Sequence, residues 1–294
     1  MSLQALLILV LKLSILLTVF CIGLRATGDD ALYLLRRPRV LLRSMVAMFI
    51  AMPLFAVFIT TKFEYHRAVE IALVALAISP VPPLLPRRVT KSGGKASYGL
   101  GLMVTAAVLS VVFVPLALKI IGLLFHKPFV MGSGAVVRLI ATSVLVPLGA
   151  GMLFRKFAPH VASRIAKPVG MVAAVLLGVG VLAAVVHVFP IAWSLIGNGT
   201  LFVFVLFIAF GLAVGHLLGR PGPDERVTLA LGTACRHPAL ALAIGTANAP
   251  QETREVGAIL LYLILNILVA IPYVSWQRRK NASSASSAPT SKAA

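Results

Sequence analysis

Nine runs of about twenty apolar residues, separated by short loops, decide the class of this 294-residue chain before any motif is considered. Their approximate limits are 3–25, 38–61, 68–93, 96–125, 134–155, 165–189, 199–219, 224–249 and 255–276. A helix of that length crosses a hydrocarbon core of roughly 30 Å. Inside lipid each segment must satisfy its own backbone N–H and C=O groups, so runs this long span as α-helices. Hydrophobic residues make up 60% of the chain and charged residues only 12%, with a mean hydropathy of +1.00. A water-soluble fold of this size has no room to hide so much apolar surface. The expected class is therefore an all-α polytopic membrane protein. Residues 1–280 form its single transmembrane domain. The tail 281–294, "NASSASSAPTSKAA", has no apolar face and is expected to be disordered and cytoplasmic.

A formal charge of +19 is compatible with a nucleic-acid partner until the positions of the basic residues are considered. They lie in loops that alternate between rich and poor, 19 Lys or Arg on one side against 6 on the other. That asymmetry orients a membrane protein, with the amino terminus outside and the carboxyl terminus in the cytoplasm. The expected partners are a lipid bilayer and a small solute, with no nucleic acid. The first run begins at Leu3 without a basic leader and is long enough to remain as a span. Cys21 and Cys235 sit inside apolar runs without metal-ligand spacing and read as packing residues.

Two runs are interrupted. The third, "EIALVALAISPVPPLLPRR", contains Pro80, Pro82 and Pro83, and the eighth breaks at "RHP", Arg236 to Pro238. Proline lacks the amide donor and clashes with the preceding turn, so the helical ladder cannot continue through either place. Pro80 lies ten residues from Glu70 at one surface, about 15 Å, and Arg236 twelve residues from Asp224 at the other, about 18 Å. With the fifth run as a connector, runs one to four match runs six to nine in inverted orientation, and the broken helix is third in each half. Discontinuous helices at matching places in inverted repeats point to the binding region of a secondary transporter.

The residues from "LLTVFCIGLRATGDDALYLLRRPRVLLRSMVAMFIAMPLFAVF" through the third run, and from "DERVTLALGTACRHPALALAIGTAN" onward, resemble the bile acid:sodium symporter family. Relative to members with an additional first helix, the chain is expected to begin one helix later. The resemblance implies a panel of runs one, two, five and six (about 3–61 and 134–189) beside a core of the others (about 68–125 and 199–276), with the broken helices crossing. It also implies alternating access to an organic anion, from bile acids to small carboxylates such as pantoate or keto acids.

Against the sodium-coupled members the chain departs at the ligands. Where they carry a Ser-Asn pair after the first break, this chain has Leu85 and Pro86. Where they place a glutamate and then a Met-Gln-Asn-Ser run, it has Gly232 and then Cys235, Arg236, His237 and Pro238. Hydroxyls on the fourth run are replaced by Gly99 and Met103. Hard cations need several oxygen ligands, so transport is expected to be uncoupled from sodium through the usual sites, with no metal and no cofactor.

Two roles fit Arg236, whose charge near the bilayer centre is costly and should face the protein interior. In one, its planar fork meets the substrate carboxylate or sulfonate, with His237 capping the half-helix that starts at Pro238 and Lys12 facing the same cavity. In the other, it ties the crossing together by hydrogen-bonding exposed carbonyls. Arg87 and Arg88 are expected at the cytoplasmic edge, with a substrate role as the lesser reading, Glu70 at the interface, and His187 and His216 as packed helix residues. No HExxH motif or nucleophile–base pair is present, which argues against an enzyme. A sodium-coupled symporter with a non-standard site and a non-transporting scaffold remain as alternatives. The expected location is a bacterial inner (plasma) membrane.

Overall fold

The computed structural model describes residues 3–125, 131–249 and 254–286. Helices form α1 (Leu3–Gly23), α2 (Pro38–Lys62), α3 (Arg67–Ile78), α4 (Leu85–Lys91), α5 (Ala96–Leu124), α6 (Ser133–Phe157), α7 (Pro159–Ser194), α8 (Thr200–Leu218), α9 (Pro223–Ala234), α10 (Pro238–Asn248) and α11 (Glu255–Ser286). Taking α9 and α10 as one span, seven helices among the described residues are long and apolar enough to cross a membrane. With α1 and the broken pair α3–α4 they account for the nine runs of the sequence. Lys127 and Lys292, both counted in the charge asymmetry, lie outside the described residues. So does 287–294 of the tail, whereas 281–286, expected to be disordered, continue α11 as helix.

Proline decides where several helices begin. Pro38, Pro159, Pro223 and Pro238 each occupy a first helical position, where a missing N–H costs nothing. Pro53 and Pro147 fall inside spans, and each is preceded by a widened π turn, Val46–Ala51 and Ala141–Leu145. The wider turn makes room for a ring that would otherwise strike the preceding carbonyl.

Small residues then fix which helices touch. Gly211 and Gly215 on α8 and Gly219, which caps it, recur every fourth residue and meet the backbone of Ala234, Ala230 and Arg226 on α9. A Cβ at Gly215 would overlap the Leu229 carbonyl and Ala230 Cα, so these helices pack backbone against backbone. Gly23 of α1 and Gly151 of α6 face one another in the same way. Cys21 Sγ of α1 donates to the Ala166 carbonyl of α7 at 3.0 Å. Thus α1, α6 and α7 form one packed group.

The other group is α2 to α5 with α8 to α11, and its membership corrects one expectation. The second run was assigned beside runs one, five and six, but α2 packs on the broken helices and on α8. Phe55 stacks on Phe210 with ring centroids 3.7 Å apart, Phe49 stacks on Phe113 at 4.3 Å, and Ser44 Oγ lies 2.8 Å from Tyr98 Oη. Met52 Cε approaches Gly211, where the absent side chain leaves room for it. Shape and aromatic pairing set this partner choice, and hydropathy does not encode it. The groups also meet where Gly257 of α11 packs on the backbone of Ala192 in α7.

Candidate functional site

The two breaks meet. Ser79 to Leu84 separate α3 from α4, and Cys235 to His237 separate α9 from α10. Ser79, Cys235 and His237 have extended backbone, with ψ of 144, 128 and 103. Extended residues at this depth leave polar groups outside the helical ladder, and each left unpaired is costly. The His237 N–H donates to the Pro80 carbonyl at 2.8 Å, joining one break to the other. His237 Nδ1 accepts from the Leu240 N–H at 3.3 Å and so caps α10, as its position in the sequence suggested.

Arg236 supplies the main clamp. It is 1% exposed; one terminal nitrogen donates to the Ser79 carbonyl and the other to the Met48 carbonyl, each at 3.2 Å. In the π register of α2 the natural donor to Met48 is residue 53, a proline with no N–H. One side chain therefore ties α2, the first break and the second break together.

Arg88 makes a second clamp. Its guanidinium donates to Asn266 Oδ1 at 2.5 Å, to the Asn266 carbonyl at 3.0 Å and to Cys235 Sγ at 3.0 Å. Asn266 Nδ2 and Tyr262 Oη both donate to the Ala234 carbonyl, at 2.8 and 2.5 Å. Among the described residues no carboxylate pairs with either arginine.

Around the positions that the resemblance matches to sodium ligands, the nearest groups are largely apolar. A Cβ on Gly232 would press on Leu102 Cδ2, with Leu85 Cδ2 at 3.6 Å. Gly99 faces Pro86 and Val89, and Leu85, Leu102 and Met103 are buried. No group of three or more His, Cys, Asp or Glu gathers in metal-binding geometry among the described residues.

A cavity of about 560 Å³ opens elsewhere, between α1 and α7 of the smaller group and α4 and α5 of the larger. Ile22, Pro86, Leu100 and Met171 give it apolar walls, and Thr18, Thr90 and Ser97 bring hydroxyls. Arg25, Arg87, Lys91 and Lys167 border it, against the single carboxylate of Asp30. Burial works to raise the Asp30 pKa. Hydrogen bonds from Ser97 and Thr27 and the charge of Arg155 outweigh it and hold the carboxyl below its ordinary value, so Asp30 stays ionised. Arg87, Lys91 and Lys167 form no ion pair among the described residues.

The residues expected to meet a substrate are only partly brought together. Arg236 and His237 sit in the crossing with Pro80, Pro82, Pro83 and Pro238 around them, while Lys12 is exposed on α1; none of them borders the cavity. Lys91, Lys167, Arg25 and Asp30 escaped sequence reasoning, which placed Arg87 and Arg88 by depth alone. Face was the missing signal. Arg87, Thr90 and Lys91 share one side of α4, whereas Arg88, about 100° round the helix, points into the protein. Asn266 was visible as a lone amide in "LYLILNILVA". His216 is a packed residue, its Nδ1 3.0 Å from Tyr273 Oη, and His187 is exposed.

No match is found among curated proteins. Residues 12–194, from α1 through the first break and the cavity-lining face of α7, match the Sodium Bile acid symporter family, and the chain belongs to that family.

Proposed function

We propose that this membrane transporter is a secondary carrier that moves an organic anion by alternating access, without sodium bound at the crossing. The observation that carries this reading is the convergence of Arg25, Arg87, Lys91 and Lys167 on one cavity between the two helix groups. Cations that form no ion pair among the described residues, beside apolar walls, suit a solute with a carbon skeleton and negative charge. Rocking α1, α6 and α7 against the other helices would expose such a cavity to each side in turn. The bordering cations belong to the basic-rich side of the chain, which supports a cavity open to the cytoplasm with the amino terminus outside.

The apolar packing around Gly232 supports independence from sodium. Arg236 then acts as a permanent internal cation, fixed on two carbonyls, and not as a substrate ligand. An inverted repeat gives each broken helix its counterpart in the other half.

Counterflow in proteoliposomes tests the reading. Vesicles preloaded with unlabelled taurocholate or succinate should accumulate the labelled anion, and Arg87→Gln should weaken the apparent affinity roughly tenfold, as expected for one lost charge-assisted contact. Counterflow of a neutral solute but of neither anion would defeat it.

A further inference from the structure

We propose that the cavity selects a compact organic anion carrying two or more negative charges, a refinement that rests on the cavity being the transport site. Its four cations and one carboxylate leave a surplus of three positive charges. Asp30 cannot offset more than its own charge, and its Oδ2 is already occupied by the Thr27 hydroxyl at 2.6 Å and the Thr27 N–H at 2.9 Å. Arg25 spends part of its guanidinium on the Ala166 carbonyl at 3.4 Å. Arg87, Lys91 and Lys167 keep their charge available.

The transport cycle turns that surplus into selectivity. Alternating access passes through a state in which the cavity is closed to water on both sides. Charge left unbalanced there loses its hydration without a partner, and the cost rises with each uncompensated cation. A monovalent solute leaves most of the surplus in place. A di- or trivalent one removes most or all of it, while its carbon skeleton lies on Leu100 and Met171. Arg87 and Lys91 are one helical turn apart on α4, and Lys167 comes from α7 across the cavity. Charges on two ends of one small molecule are therefore met from both helix groups, which favours closure around it.

Charge scaling provides the test. Butyrate, succinate and citrate, as choline salts at constant ionic strength and at a pH where citrate is trivalent, are titrated against the detergent-solubilised full chain, with affinity read from the thermal midpoint. Affinity should rise from butyrate to succinate to citrate. Because a lost Coulomb contact scales with ligand charge, Lys91→Gln or Lys167→Gln should weaken butyrate roughly twofold, succinate roughly fourfold and citrate roughly eightfold. Both lysines are exposed, so the variants keep the fold, and Lys91→Arg and Lys167→Arg should restore parental affinity. Butyrate binding as tightly as citrate, or equal losses for both, overturns the polyvalent assignment and leaves the cavity as an anion site. Failure of all three to bind, or binding that neither glutamine variant changes, overturns the cavity site itself.

Discussion

Arg236→Ala is expected to lower stability by on the order of 3–5 kcal/mol, the largest effect of any single change at the crossing. The substitution strips the Ser79 and Met48 carbonyls of their donors in a region sealed from water, each loss costing about 1–3 kcal/mol. It also empties the volume of a fully buried long side chain, which adds a cavity cost. Arg236→Met separates these causes, since it restores most of the volume but no donor. Arg236→Lys keeps the charge, yet one ammonium lacks the fork that reaches both carbonyls at once. The thermal midpoint in detergent should fall furthest for Ala, then Met, then Lys. An alanine variant melting with the parent would show that the guanidinium holds nothing together.

Gly232→Glu should be nearly as damaging, although it restores the carboxylate that sodium-coupled relatives carry. The new Cβ would enter the space of Leu102, and the carboxylate would lie against Leu102 and Leu85. Both nearby arginines are already turned onto carbonyls and Asn266. A buried charge without a ready partner costs several kcal/mol or takes up a proton. A single acid also cannot assemble the oxygen shell of a hard cation. The variant should melt well below the parent in sodium chloride and in choline chloride alike. Sodium-specific recovery of its midpoint would show that the cation site survives behind the leucines.

What the sequence made legible was governed by local rules. Run length marked the spans, because it depends on the segment and the bilayer alone. Proline marked both breaks for the same reason, and Pro238 with His237 marked the start of α10. The place of α2 was hidden because contacts such as Phe55 on Phe210 join residues far apart in the chain. The tripled glycine of "GLAVGHLLG" was readable as a close-packing face, although it does not name its partner. Arg236 showed its cost in the sequence, while its acceptors, a carbonyl beside a break and one in a π turn, exist only in the fold. The cavity was least legible, since its cations come from α4, α7 and the loop after α1 and share no spacing.

The proposal that fixed arginines close the crossing in place of a bound ion is tested most directly by anion exchange in proteoliposomes with sodium replaced by choline on both sides. Initial rates should agree within about twofold, since a guanidinium held on the Ser79 and Met48 carbonyls needs no ion to recruit. A rate that vanishes without sodium and rises saturably as it is restored would contradict this and place a cation site in the protein after all.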